Sequence, residues 1–306
     1  MNETRLASRL EQRLRSGAFA ITAEIVPPLS CDAADLLAKA APLKGLADAV
    51  NVTDGAGANV HLGALTAAAL LHTAGIEPIL QLTCRDRNRI ALQGELIAAA
   101  AAGIRNLLLL TGDKPSAGDQ PDAKPVFDLD SLALMETARR LRDDGELPTG
   151  KKVAGHAPFF LGAADLPTDP PPGWRPDALA RKVQAGARFV QTQFCMDAGV
   201  ARRYAAALRD AGLSELFVLI GISPLRSARA ARWMCHHLYG TIIPEATIER
   251  LERAADPRAE GLRLCAELME ELAATPGIAG VHIMAPGNDA AVAEVIARVR
   301  QTANSE

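Results

Sequence analysis

Eight short apolar runs, each followed by a longer helical run, constrain this chain more than any other feature. The runs are Ala18–Val26, Ala47–Thr53, Pro78–Thr83, Asn106–Thr111, Lys152–His156, Arg188–Gln193, Leu216–Ile222 and Gly280–Met284. Between them lie alanine-rich helical patterns such as "VHLGALTAAALLHTAG", "RIALQGELIAAAAAG", "DSLALMETARRLRDDG" and "ARRYAAALRDAG". Several end in glycine, which stops a helix. Strands this apolar are buried on both faces, and helices between them give a parallel sheet. Eight such units in 306 residues predict a closed (β/α)8 barrel. The expectation is one domain, residues 1–306, with a short N-terminal helix. An open doubly wound sheet is the alternative, but no GxGxxG follows the first run. The proline-rich "LPTDPPPGWRPD" reads as a loop after the fifth strand, because alternation resumes beyond it.

Composition excludes several classes. A net charge of −3, with acids and bases interleaved, offers no field for gripping nucleic acid or an anionic membrane. No apolar run reaches the roughly 18 residues a spanning helix needs. The N-terminal "MNETRLASRLEQRLRSG" is polar and amphipathic, without a signal-peptide core. Five scattered cysteines with no CxxC or CxxH pair predict neither a disulfide framework nor a zinc site, and point to a reducing cytoplasm.

In such barrels the chemistry lies at the carboxyl ends of the strands, and here those ends are polar. They carry Glu24, then Thr53-Asp54, then Gln81 and Thr83 before "CRDRNR". Thr111-Gly112-Asp113, His156 and Gln191-Thr192-Gln193 follow. Six polar ends on one rim predict a pocket for a large polar ligand. Each residue also has a plainer reading. Glu24 could pair with a base, and Asp113 could cap a turn. Lys182 could lie on a surface helix, and "CRDRNR" could be a solvated helical turn capped by Asp86 or Asn88. His156 could be structural. Cys84 has no evident base partner.

The motifs "AEIVPP", "NVTDGAGA", "EPILQLTCRDRNRIALQGELIAAAAAGIRNLLLLTGDKP", "VFDLDS", "KVQAGARFVQTQFCMD" and "GISPLRS" occur in this order. Together they resemble the methylenetetrahydrofolate reductase family from about Phe19 to Met284. The resemblance implies a flavin-dependent barrel that reduces 5,10-methylenetetrahydrofolate to 5-methyltetrahydrofolate, with FAD as cofactor and NADH or NADPH as co-substrate. It implies a cytoplasmic homo-oligomer whose length is that of a catalytic domain alone. Glu24 matches the family's general acid, which protonates N10 of the folate so that a 5-iminium cation forms. A carboxyl desolvated at the end of an apolar strand favours its protonated form. Asp113 matches an aspartate near both pterin and flavin, and Gln193 a glutamine that binds folate. Thr53, Asp54, Ala56, Gln81, Thr111, Gly112, Asp113, Asp128, His156, Arg181 and Lys182 match flavin-contacting positions.

The match departs from the family at three places. His156 stands where other members carry tyrosine or asparagine. Ala228 stands where some bacterial members have an aromatic residue that moves between nicotinamide and folate, and the "MAPGNDA" segment up to Asp289 lacks an arginine that those members use near the folate tail. Two other readings remain: a pterin-dependent methyltransferase barrel, and a non-catalytic flavin- or folate-binding subunit of a larger complex. The first would bring cobalamin on a DxHxxG-type motif, which the sequence lacks.

Overall fold

A computed structural model describes residues 7–303. Its strands are β1 (Ala20–Ile25), β2 (Ala49–Val52), β3 (Pro78–Thr83), β4 (Asn106–Leu110), β5 (Phe160–Asp165), β6 (Phe189–Phe194), β7 (Phe217–Ile222) and β8 (Gly280–Ile283). They pair in parallel in chain order, and β8 returns to β1 to close the barrel. Helix α1 (Arg9–Arg15) precedes the barrel. Around it run α2 (Ala33–Ala40), α3 (Ala64–Thr73), α4 (Arg89–Ala101), α5 (Ser131–Asp144), α6 (Asp177–Gln184) and α7 (Ala198–Asp210). The ring is completed by α8 (Ala228–His237), α9 (Glu245–Arg253), α10 (Pro257–Ala273) and α11 (Asp289–Ala303). The expected (β/α)8 barrel is the observed fold.

Alternation along each strand sorts the core into two clusters, because successive side chains point to opposite faces. Ile21, Ala23, Ile25, Val50, Val52, Leu80 and Leu82 face outward and pack with buried helix residues such as Leu36, Leu71 and Leu96. Ala20, Ala49, Ile79, Leu108, Phe160, Phe189 and Leu219 face inward and fill the amino-terminal half of the lumen. The rings of Phe160 and Phe189 stack there at 5.0 Å. Leu10 and Leu14 of α1 join this inner cluster, so α1 plugs the amino end. Glu77 fastens the plug by accepting from Arg9 Nε (3.0 Å) and Asn106 Nδ2 (3.0 Å).

The next inward positions are polar: Thr22, Asn51, Gln81 and Gln191 are all buried. Barrel interiors are usually packed with branched aliphatic residues. Here the carboxyl-terminal half of the lumen is hydrogen-bonded instead. Asn51 Nδ2 donates to Gln191 Oε1 (2.7 Å), and Gln191 Nε2 donates to Asn51 Oδ1 (3.0 Å).

One strand differs from expectation. Lys152–His156 forms no strand; Lys152 makes only an isolated antiparallel bridge to Glu146. The fifth strand is "FLGAAD", eight residues further on. Its Gly162 reads in sequence as a turn signal, but in the barrel it makes room: a Cβ there would lie 2.2 Å from the Phe189 ring.

Candidate functional site at the carboxyl mouth of the barrel

Glu24 is the fifth of six residues in β1, on the inward face beyond Thr22. Its side chain is 22% exposed. Gln81 Nε2 donates to its Oε2 at 2.9 Å, and His282 Nε2 on β8 lies 3.5 Å from the same oxygen. Among the described residues, Glu24 therefore pairs with no lysine or arginine. It faces the mouth between an amide and an imidazole.

Next around the rim, Asp54 accepts from Thr83 N (2.8 Å) and Thr83 Oγ1 (2.9 Å), and it pairs with Arg87. Arg85 is almost fully buried and donates to Asp86 and to Gly55 O. "CRDRNR" is thus a built ionic cluster rather than a solvated turn, although Asn88 does cap α4 through Ile90 N and Ala91 N. Thr53 Oγ1 and Arg87 Nε are buried and have no hydrogen-bond partner among the described residues. Ala56 follows, half-buried in a single helical turn.

After β4, Thr111 Oγ1 accepts from Ser131 N. Gly112 has φ +93°, and a Cβ there would sit 3.0 Å from Thr83 Cβ. Both demands select glycine. Asp113 beyond it is exposed on the rim. Asp128 is held by three Arg89 hydrogen bonds of 2.7–2.8 Å, and these hold its carboxyl down at about 2. Gln193 on β6 is half-buried, and its Oε1 accepts from Phe194 N (3.0 Å).

His156 is a correction. It lies four residues before β5, at the amino end of that strand, and it is exposed. It lines a hollow with Ile97 and Leu141 of the outer helices, not the mouth. The residue that ends β5 is Asp165. Tyr204 on α7 donates to Asp165 Oδ2 at 2.5 Å. Burial pushes the Asp165 carboxyl up, against the bond from Tyr204 and the charge of Lys182. Lys182 Nζ donates to Ala164 O (2.7 Å), and burial lowers its ammonium below the usual lysine range. Arg181 beside it is exposed. Burial pushes the Cys84 thiol up to about 11, which removes it as a nucleophile.

A cavity of about 460 Å³ opens beyond the ends of β7 and β8. Ser223, Arg226, Arg229, Trp233 and Asn288 are among the residues lining it. Ala228 opens α8 beside it, and Asp289 opens α11, where it pairs with Lys39 at 3.1 Å. Sequence reasoning missed His282, Asp165 and the two arginines. A lone histidine in "GVHI" and an acid closing "FFLGAAD" were the available signals.

Fold and mouth together define a (β/α)8 barrel with a charged, amide-lined ligand site at the carboxyl ends of its strands. A family model described as methylenetetrahydrofolate reductase matches residues 9–300. The chain belongs to the methylenetetrahydrofolate reductase family. It is 24% identical over 238 residues to a probable methylenetetrahydrofolate reductase (NADPH) of Caenorhabditis elegans, covering 75% of this chain and 33% of that protein. It is 25% identical over 240 residues to methylenetetrahydrofolate reductase 1 of Schizosaccharomyces pombe, covering 73% and 36%. The chain thus spans about a third of the length of these curated relatives. Among solved structures, a Clostridium thermocellum protein that binds two copies of 5-methyl-5,6,7,8-tetrahydrofolic acid has the same fold. The TM-score is 0.66 at 13% identity, over 96% of this chain and 99% of that one.

Proposed function

We propose that this chain reduces 5,10-methylenetetrahydrofolate to 5-methyltetrahydrofolate with NADH or NADPH, through FAD held at the mouth, with Glu24 as general acid. The observation that carries the reading is Glu24 itself. It is a half-buried carboxyl at the mouth with no cationic partner among the described lysines and arginines, oriented by Gln81. Such a group can hold a proton and deliver it to a bound base.

The donor set fits a flavin. Thr53 Oγ1 and Arg87 Nε are buried without hydrogen-bond partners among the described residues, as groups awaiting a polar ligand would be. Lys182 and Arg181 add cations above β5, and Ala56, Gln81, Thr111, Gly112 and Asp113 complete the rim. Asp54 and Asp128 serve through the arginines they hold, Arg87 and Arg89. When bound, FAD supplies hydride chemistry that no side chain can supply.

The chain's own residues do the rest. Glu24 would give its proton to N10 as the bond from N10 to the bridging carbon breaks, which leaves the cation at N5. Asp113 stabilises that cation by its charge. With Oε1 of Gln193 engaged by Phe194 N, its amide hydrogens are directed to the folate. Arg226 and Arg229, at the cavity beyond β7 and β8, supply the positive charge that the segment from Met284 to Asp289 lacks. They would meet the anionic end of the folate.

Gently purified protein is expected to be yellow, with noncovalent FAD that NADH or NADPH bleaches and methylenetetrahydrofolate restores under anaerobic conditions. Protein with no flavin and no affinity for added FAD would overturn the reading. Asp113→Asn is expected to raise the flavin potential and slow folate turnover. A unit charge a few ångströms away is worth about 1–4 kcal/mol at effective dielectric constants of about 80 down to 20. A potentiometric titration with unchanged midpoint, and unchanged folate kinetics, would remove Asp113 from the site.

A further inference from the structure

His282 is the least explained group in the barrel. It is 3% exposed, deep in the lumen. Its hydrogen-bond environment constrains where its proton sits. Thr22 Oγ1 donates to Val281 O (3.1 Å). Gln191 Nε2 has two hydrogens, and oxygens accept both: Thr22 Oγ1 and Asn51 Oδ1, each at 3.0 Å. The contact from Gln191 Nε2 to His282 Nδ1 is longer, 3.3 Å. Thr22 Oγ1 is 3.1 Å from Nδ1, with its own hydrogen already directed elsewhere. When the Thr22 hydrogen serves Val281 O, Nδ1 is the donor in that pair and Thr22 Oγ1 the acceptor.

This assignment fixes the other nitrogen. A neutral His282 with hydrogen on Nδ1 has its lone pair at Nε2, which lies 3.5 Å from Glu24 Oε2. Two acceptors face each other there unless one proton belongs to the pair. That proton sits either on Glu24, with His282 neutral, or on His282, with Glu24 ionised. Gln81 donates to the same Oε2, so Oε1 is left to meet the substrate. The strands flanking His282 present Thr22 and Glu24 from β1 and Gly221 from β7. Asn51, Gln81 and Gln191 come from across the lumen. Glu24 is the titratable group in this set.

We infer that His282 is a positioning residue that shares one proton with Glu24 and so keeps the acid loaded. The inference rests on the reading of Glu24 as the acid. In each cycle the Glu24 O–H bond breaks and the N10–H bond forms. The carboxylate is held by Gln81 until a proton from water restores the pair after product leaves.

The primary test needs no turnover. Long-range ¹⁵N–¹H spectra of the flavin-loaded protein, with His282 assigned by its loss in His282→Gln, follow the imidazole through pH in wild type and in Glu24→Gln. The expected result is hydrogen on Nδ1 near neutrality and a titration midpoint displaced by about one pH unit or more between the two proteins, as coupled groups require. Identical midpoints, or hydrogen on Nε2 alone, overturn the inference whatever the kinetics show. In stopped flow, His282→Gln is expected to move the pH profile of the folate half-reaction by a similar amount and to leave reduction by the nicotinamide unchanged. An unmoved profile also overturns it. If Glu24→Gln retains full folate reduction, the proposed function fails instead, and the spectra still decide whether the two groups share a proton.

Discussion

Replacing Glu24 with glutamine is expected to separate the two half-reactions. Reduction of the flavin by NADH or NADPH needs no protonated carboxyl and should proceed at nearly the wild-type rate. Transfer to methylenetetrahydrofolate needs a proton at N10, which glutamine cannot deliver. Loss of a general acid typically costs roughly 10²–10⁴-fold. The change is nearly isosteric, and the amide still accepts from Gln81, whose Nε2 lies 2.9 Å from Oε2. The fold should therefore persist. Stopped-flow rates for each half-reaction and a thermal melt of the same sample decide the matter. Equal losses in both half-reactions together with a lowered melting temperature would make Glu24 a structural residue.

A second large effect is expected where substitution preference and packing oppose each other. Gly261 lies inside α10, where exchange of glycine for alanine ordinarily stabilises a helix by about 1 kcal/mol. Here a Cβ would lie 1.6 Å from Leu225 O, a backbone atom that no rotamer change can move aside. Gly261→Ala must push α10 away from the segment that follows β7. Overpacking of this kind costs typically about 1–3 kcal/mol, occasionally more, and that segment lines the cavity holding Arg226 and Arg229. Gly94, exposed in α4 with open space around its Cβ direction, is the control. Gly94→Ala should be neutral or stabilising. Denaturant titrations of the two variants should move in opposite directions, and a stabilised Gly261→Ala would contradict the close approach of α10.

The barrel was legible in the sequence because hydrophobic alternation and helix stops are local signals. Seven expected strands coincide with the observed ones to within a few residues. The fifth did not: "KVAGH", Lys152–His156, was read as the strand. The true strand contains Gly162, whose purpose depends on Phe189 one strand away. The misplacement carried His156 with it and hid Asp165. Glu24, Asp54 and Asp113 were legible as polar residues closing apolar runs. His282 was not, since a single buried imidazole in "GVHI" acquires meaning only from Thr22, Glu24 and Gln191, which arrive from β1 and β6. Likewise Arg226 and Arg229 carried no separate signal in the sequence, and the ends of β7 and β8 set them around one cavity.

The α1 plug has a consequence for traffic. With Leu10 and Leu14 seated among Ile79, Phe160 and Phe189, the barrel is a flask with one neck rather than a tube. Every molecule that reaches Glu24 enters by the route its predecessor leaves, so a lingering product excludes the next reactant. Water obeys the same rule. While a ligand sits in the neck, the amide and imidazole groups below it have no back door to bulk solvent, and their protons can be replenished only between visits.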